Sequence, residues 1–199
     1  MHHDNEVGAE SRRHSSPGTD IGSSPPPADP SGPASMVDVI GNYRTCELTT
    51  ISRSGAPQTV PVSPLLLDDG RLFLATSIGL PQKAFNIRRH PRVGMLFSDP
   101  TGSGITRPGA VLVQGDAAAD DRIVADVTSV PELKKAVEVL SARQPAGAFM
   151  SSFFGRRLFP SWYQRVLIYV TPRRVLFWPT REFTTAPDVF DGEVLRHVE

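Results

Sequence analysis

The sequence predicts a mainly β fold with helices at its margins, in the α+β class. Three observations support this. Runs of alternating apolar and polar residues recur between Thr45 and Trp178, a short helical stretch closed by Pro91 separates two of them, and a helical period replaces the alternation after Asp120. The chain has 199 residues, is 39% apolar and carries no formal net charge, which suits one globular domain plus a tail.

The tail is residues 1–35. Pro17, Pro25, Pro26, Pro27, Pro30 and Pro33 stand among serines and glycines, with no periodic apolar face to offset the entropy of ordering, so disorder is expected. The segment also lacks the apolar core of a signal peptide. His2, His3 and His14 occur in it without the spacing of a metal site, and no metal is expected.

The domain spans residues 36–199 and opens with SMVDVIGNY, a short lead-in helix. Thr45 to Ser52 and Gln58 to Leu67 read as strands around Ser54-Gly55-Ala56-Pro57, and Asp68-Asp69-Gly70 turns the chain into a third. There Leu72, Leu74 and Thr76 alternate with Phe73, Ala75 and Ser77, as in a half-buried strand. Gly79 permits the next turn, Pro81 suits the first helical position, and the helix runs to about His90, where Pro91 ends it. Strands follow near Val93 to Ser98 and Ala110 to Ala117, separated by the long loop PTGSGITRPG, which is placed to reach a ligand.

A helical insertion is expected around residues 120–162. Ser129 and Glu132 form a capping box, and Leu133, Val137 and Leu140 recur along one face. GAFMSSFFGRRLFPSW is aromatic-rich and reads either as a helix packed on the domain or as a cover over a substrate pocket. Last comes a hairpin. Val166, Ile168 and Val170 alternate with Arg165, Leu167 and Tyr169; after a turn at Pro172 to Arg174, Val175 and Phe177 alternate with Leu176 and Trp178.

Function concentrates in the run LFLATSIGLPQKAFNIRRHPRVGMLF. Lys83 falls in the first turn of its helix, beside unpaired backbone N–H groups and the positive end of the helix dipole, with the hydroxyls of Thr76 and Ser77 just upstream. Those are the parts of an anion site. The same residues also describe an ordinary solvated surface lysine, and composition does not separate the two. The basic group Arg88, Arg89, His90 and Arg92 matches a helix C-terminus, so nucleic acid is not an expected partner. A lone cysteine, Cys46, excludes an intrachain disulfide and suits a reducing cytoplasm. No apolar run approaches the ~20 residues of a spanning helix, so no membrane is expected. Nor is there a Gly-x-Ser-x-Gly elbow, a paired acid and base or a metal ligand set, so the side chains announce no catalytic mechanism of their own.

The order of these pieces resembles the pyridoxamine 5'-phosphate oxidase-like family of FMN-binding split barrels, within the flavin/deazaflavin oxidoreductases. The pieces are TCELTTISRSGAPQTVPVSPLLL, LFLATS, QKAFNIRRHPRV, VGMLF, AVLVQGDA and RVLIYVTPRRVLFWP, and they cover roughly Tyr43 to Pro179. The most specific are the lysine helix followed by HPRV, and the closing Phe177 and Trp178.

The resemblance implies a Greek-key split β-barrel and a homodimeric FMN-dependent oxidoreductase acting on a small molecule. It places Thr59, Val60, Pro61, Val62 and Ser63 along the flavin, and Thr76 and Ser77 near the phosphate arm. Gln82 and Lys83 fall at the phosphate, and Trp178 against the cofactor from the second subunit. A deazaflavin coenzyme in place of FMN, and a non-enzymatic flavin- or haem-binding protein, are the alternatives. The chain departs from members that oxidise pyridoxamine phosphate: Gln82-Lys83 replaces their Arg-Lys pair, and PTREFTTAPDVFDGE follows Trp178 where they carry Arg-Leu-His-Asp-Arg. Vitamin B6 oxidation is therefore not the expected activity.

Overall fold

The computed structural model describes residues 34–143 and 164–196. Helix α1 (Met36–Asn42) starts from a capping box in which Ser35 and Asp38 satisfy each other's backbone N–H groups at 3.1 and 2.9 Å. Ala34 donates its N–H to the Arg107 carbonyl at 3.2 Å, so Ala34 and Ser35 belong to the folded unit rather than to the expected tail. The rest of that tail lies outside the described residues, as does the aromatic-rich GAFMSSFFGRRLFPS.

The remaining elements are β1 (Cys46–Ile51), β2 (Pro57–Val62), β3 (Leu65–Leu66), β4 (Leu72–Ser77), α2 (Gln82–Arg89), β5 (Arg92–Phe97), β6 (Ala110–Val124), α3 (Pro131–Arg143), β7 (Arg165–Trp178) and β8 (Asp188–Asp191). All pairings are antiparallel, in the order β2-β1-β5-β6-β7-β4-β3 with β8 added to β7, and β2 and β3 leave the sheet unclosed. The expected α+β class is borne out.

Three expectations are corrected. The final hairpin is one bent 14-residue strand: Pro172 and Arg173 make a bulge opposite Gly115 instead of a turn, because proline is tolerated where the ladder is already interrupted. Residues 120–124 are strand rather than helix, since β6 continues past a second register shift between Ala119 and Ile123 to pair with Val166 and Arg165. Arg88 holds that shift, reaching the Asp120 carbonyl at 2.5 Å and the Asp121 carboxylate at 3.2 Å. Finally, α3 begins at Pro131, which leaves Ser129 outside the capping position, and its hydroxyl donates instead to the Asp126 carbonyl at 2.7 Å.

The main core gathers Ile40, Leu48, Leu72, Leu74, Ile87, Met95, Phe97, Val113, Ile168 and Val175. A second cluster forms on the other side of β4 and β7, where Leu133 and Ala136 of α3 cover Phe73 and Leu167. Strand β4 is thus buried on both faces, not one. The consequence for function is positional: its exit hydroxyls, Thr76 and Ser77, stand at the end of a strand packed on both sides.

Candidate functional site

At that exit the chain makes a tight turn. Leu80 N–H donates to the Ser77 carbonyl at 3.0 Å, and Gly79 N–H donates to Ser77 Oγ at 3.1 Å. Pro81, with φ −81° and ψ −5°, caps α2 from outside rather than filling its first position. Lys83 folds back over this turn: Nζ donates to Thr76 Oγ1 at 2.8 Å and lies 3.5 Å from the Leu80 carbonyl, which itself accepts the Thr76 hydroxyl at 2.9 Å.

The electrostatics are unusual for a lysine. Thr76 and Ser77 are buried, Lys83 is half-buried, and the oxygens that its ammonium meets, Thr76 Oγ1 and the Leu80 carbonyl, are uncharged. Burial holds its pKa below the ordinary lysine value, and the Arg165 guanidinium, from the residue that pairs with Ser77, pushes the same way. Two cations therefore share a corner that contains no carboxylate in ion-pair contact with Lys83 among the described residues. A dianionic group suits such a corner, where first-turn N–H groups add donors.

Residues 33–178 match the family model described as pyridoxamine 5'-phosphate oxidase. The chain belongs to this family. No curated protein matches it. One solved structure shares the fold at TM-score 0.52 and 13% identity, covering 79% of this chain and 90% of its own. A haem-binding protein from Mycobacterium smegmatis aligns at TM-score 0.46 and 16% identity, over 79% of this chain and 60% of that one. An F420 reductase aligns at TM-score 0.47 and 20% identity, over 74% of this chain and 98% of that one.

Within this member of the pyridoxamine 5'-phosphate oxidase family, the predicted residues are not all neighbours. Thr76, Ser77 and Lys83 are brought together. Gln82 is exposed, and its side-chain amide runs along the helix to Asn86 Oδ1 at 2.9 Å. Thr59 to Ser63 belong to the edge strand β2 and its exit, where Thr59, Val60 and Pro61 are exposed. Trp178 does not join the group in one chain: it ends β7, whereas Arg165 begins it.

The structure adds a residue that sequence reasoning passed over. Asn86 is 1% exposed and joins α2 to the β1–β2 hairpin, donating to Thr50 Oγ1 at 3.0 Å and to Gln58 Oε1 at 2.8 Å. The signal was present. Asn86 shares the buried face of α2 with Ala84 and Ile87, and Thr50 occupies the buried alternation of β1 after Cys46 and Leu48. Two polar residues at apolar positions of adjacent elements point to a hydrogen bond between them. A separate surface pocket of about 480 Å³ lies at the far end of α2, among Ile51, His90, Arg92, Asp116 and Arg173, with Arg173 paired to Asp116.

Among the described residues, no helix is long and apolar enough to cross a membrane.

Proposed function

We propose that the chain is a flavin-dependent oxidoreductase that holds FMN by its phosphate at Lys83 and acts on a small molecule as a homodimer. The observation carrying this reading is the Lys83 ammonium, half-buried beside Arg165 and bonded only to neutral oxygens, in a chain of the pyridoxamine 5'-phosphate oxidase family. Charge, hydroxyls and N–H groups all fit a phosphate there. Lys83 and Arg165 would neutralise it, Thr76 and Ser77 would contribute hydroxyls, and the buried β4 would fix its position. The edge-strand segment Thr59 to Ser63, with Thr59, Val60 and Pro61 exposed, would flank the ring. The flavin, when bound, supplies the hydride chemistry, while the protein binds, orients and shields it.

A second copy is part of the proposal because Arg165 begins β7 and Trp178 ends it, so a Trp178 set against the cofactor would come from another chain. Support comes from the exposed apolar residues Val60 on β2, Leu80 before α2 and Phe85 on α2, at 37%, 58% and 44% exposure. The deazaflavin coenzyme is the second reading, favoured by Gln82, whose turn onto Asn86 leaves the helix start with a single lysine. One fewer cation suits a phosphodiester monoanion better than a phosphate dianion.

The test is to purify the protein from its native host, release the bound small molecule and identify it by mass, alongside a visible spectrum. FMN supports the first reading and a deazaflavin the second. Protein that carries neither, and that fails to quench fluorescence in a saturating FMN titration, defeats both. Light scattering on the loaded protein checks the dimer.

A further inference from the structure

The basic run at the end of the lysine helix divides in the folded chain. Arg88 engages the Asp120 carbonyl and the Asp121 carboxylate, and Arg89 lies 3.4 Å from Asn86 Oδ1, so both act in the last turn, where the helix dipole favours cations. His90 and Arg92 do not. Their side chains enter no hydrogen bond or ion pair among the described residues, and both line the pocket of about 480 Å³ at the far end of α2.

Arg92 opens β5, and its register partner on β6 is Asp116, which projects to the same face of the sheet. Asp116 pairs instead with Arg173. Arg173 arrives there through the bulge: Gln114 is opposite Arg174 and Gly115 opposite Pro172, which leaves Arg173 as the extra residue, outside the ladder. A bulge re-aims a side chain. Two glycines permit this one, since a Cβ on Gly115 would meet the Thr171 carbonyl and a Cβ on Gly192 would meet the Pro172 carbonyl. On the helix side, the Pro91 carbonyl accepts the Ala117 N–H at 2.7 Å, which ties this wall of the pocket to β6.

The result is an imbalance of charge. Two guanidiniums, Arg92 and Arg173, line one pocket with a single carboxylate, Asp116, while the His90 imidazole stands beside them and Ile51 and Pro91 supply apolar wall. We propose that this pocket binds a small organic oxyanion, a carboxylate or a phosphate ester, with Arg92 and Arg173 on the charged group and Ile51 and Pro91 against the body. The planar fork of arginine matches either oxyanion, Asp116 holds Arg173 in place, and the volume suits a small molecule. Lys83 stands seven residues before His90, about 10 Å along the helix axis. The site is therefore separate from the Lys83 corner and does not rest on the cofactor reading.

The experiment follows the His90 imidazole by NMR in the full-length chain, its signal assigned by the loss it suffers in His90→Gln. Phenyl phosphate, benzoate and neutral phenol are titrated in turn. At least one of the two anions should shift the signal saturably where phenol does not, and the one that does so identifies the charged group. Arg92→Ala and Arg173→Ala should each weaken that binding about tenfold or more, the scale of a lost charge-assisted hydrogen bond, and Lys83→Ala should leave it unaltered. No saturable shift with either anion, the same shift with phenol, or a shift that vanishes in Lys83→Ala overturns the proposal. If Arg173→Ala fails to fold, Arg92→Ala decides alone, because the exposed Arg92 side chain bonds nothing else in the described residues, and parental affinity in that variant overturns the proposal.

Discussion

Asn86 Nδ2 donates to Gln58 Oε1 at 2.8 Å, and this bond ties the lysine helix to the edge strand β2. The same amide group also engages Thr50, Gln82 and Arg89, so its hydrogen-bonding capacity is used within the chain.

Asn86→Ala should therefore destabilise the protein by about 1 to 3 kcal/mol, because it removes the donor to the buried Thr50 hydroxyl, which keeps only a 3.5 Å contact to the Gln58 carbonyl, and empties a buried position. Urea unfolding measures this. Asn86→Ala with parental stability would show that the network carries no net energy.

Lys83→Ala should weaken FMN binding by roughly 1.5 to 3 kcal/mol, the scale of a hydrogen bond to a charged group, and leave the fold intact. Fluorescence quenching of FMN reads the affinity and circular dichroism the fold. Unchanged affinity would remove Lys83 from the phosphate site.

The lowered pKa of Lys83 has a definite sign in stability. Between its folded pKa and the ordinary 10.5, the unfolded chain binds more protons than the folded one, so cofactor-free protein should gain stability from this residue as pH rises through that window. Phosphate binding should weaken over the same interval, as the ammonium is lost. Denaturant unfolding of the parent and of Lys83→Met across alkaline pH tests the claim, and equal slopes for the two would refute it.

Gly115→Ala should cost about 1 to 3 kcal/mol, since a Cβ at this position runs into the Thr171 carbonyl across the bulge. Thermal melts of the two proteins decide it.

Much of this architecture was legible in the residues. The strand LFLATS, the stop at Pro91 and the lysine in the first helical turn follow from local rules of alternation and proline geometry, and the structure has all three, although the strand is buried on both faces where alternation implied one. Pro172 misled because proline is read locally as a turn, whereas its role here depends on Gly115, a partner far away in sequence. Residues 120–124 misled likewise: their apolar alternation is poor, and what makes them strand is the neighbouring β7. Within the site, Thr76, Ser77 and Lys83 are close in sequence and could be grouped by reading along it. Arg165 and Asn86 enter through pairings that only the folded sheet creates.

The pairing of β4 with β7 has a consequence for biosynthesis. Thr76 and Ser77 are aligned opposite Val166 and Arg165, so the corner around Lys83 lacks one wall until β7 has left the ribosome. Nascent chains halted before Arg165 should therefore bind phosphate more weakly than the full-length chain, a difference that titration of the two with inorganic phosphate measures.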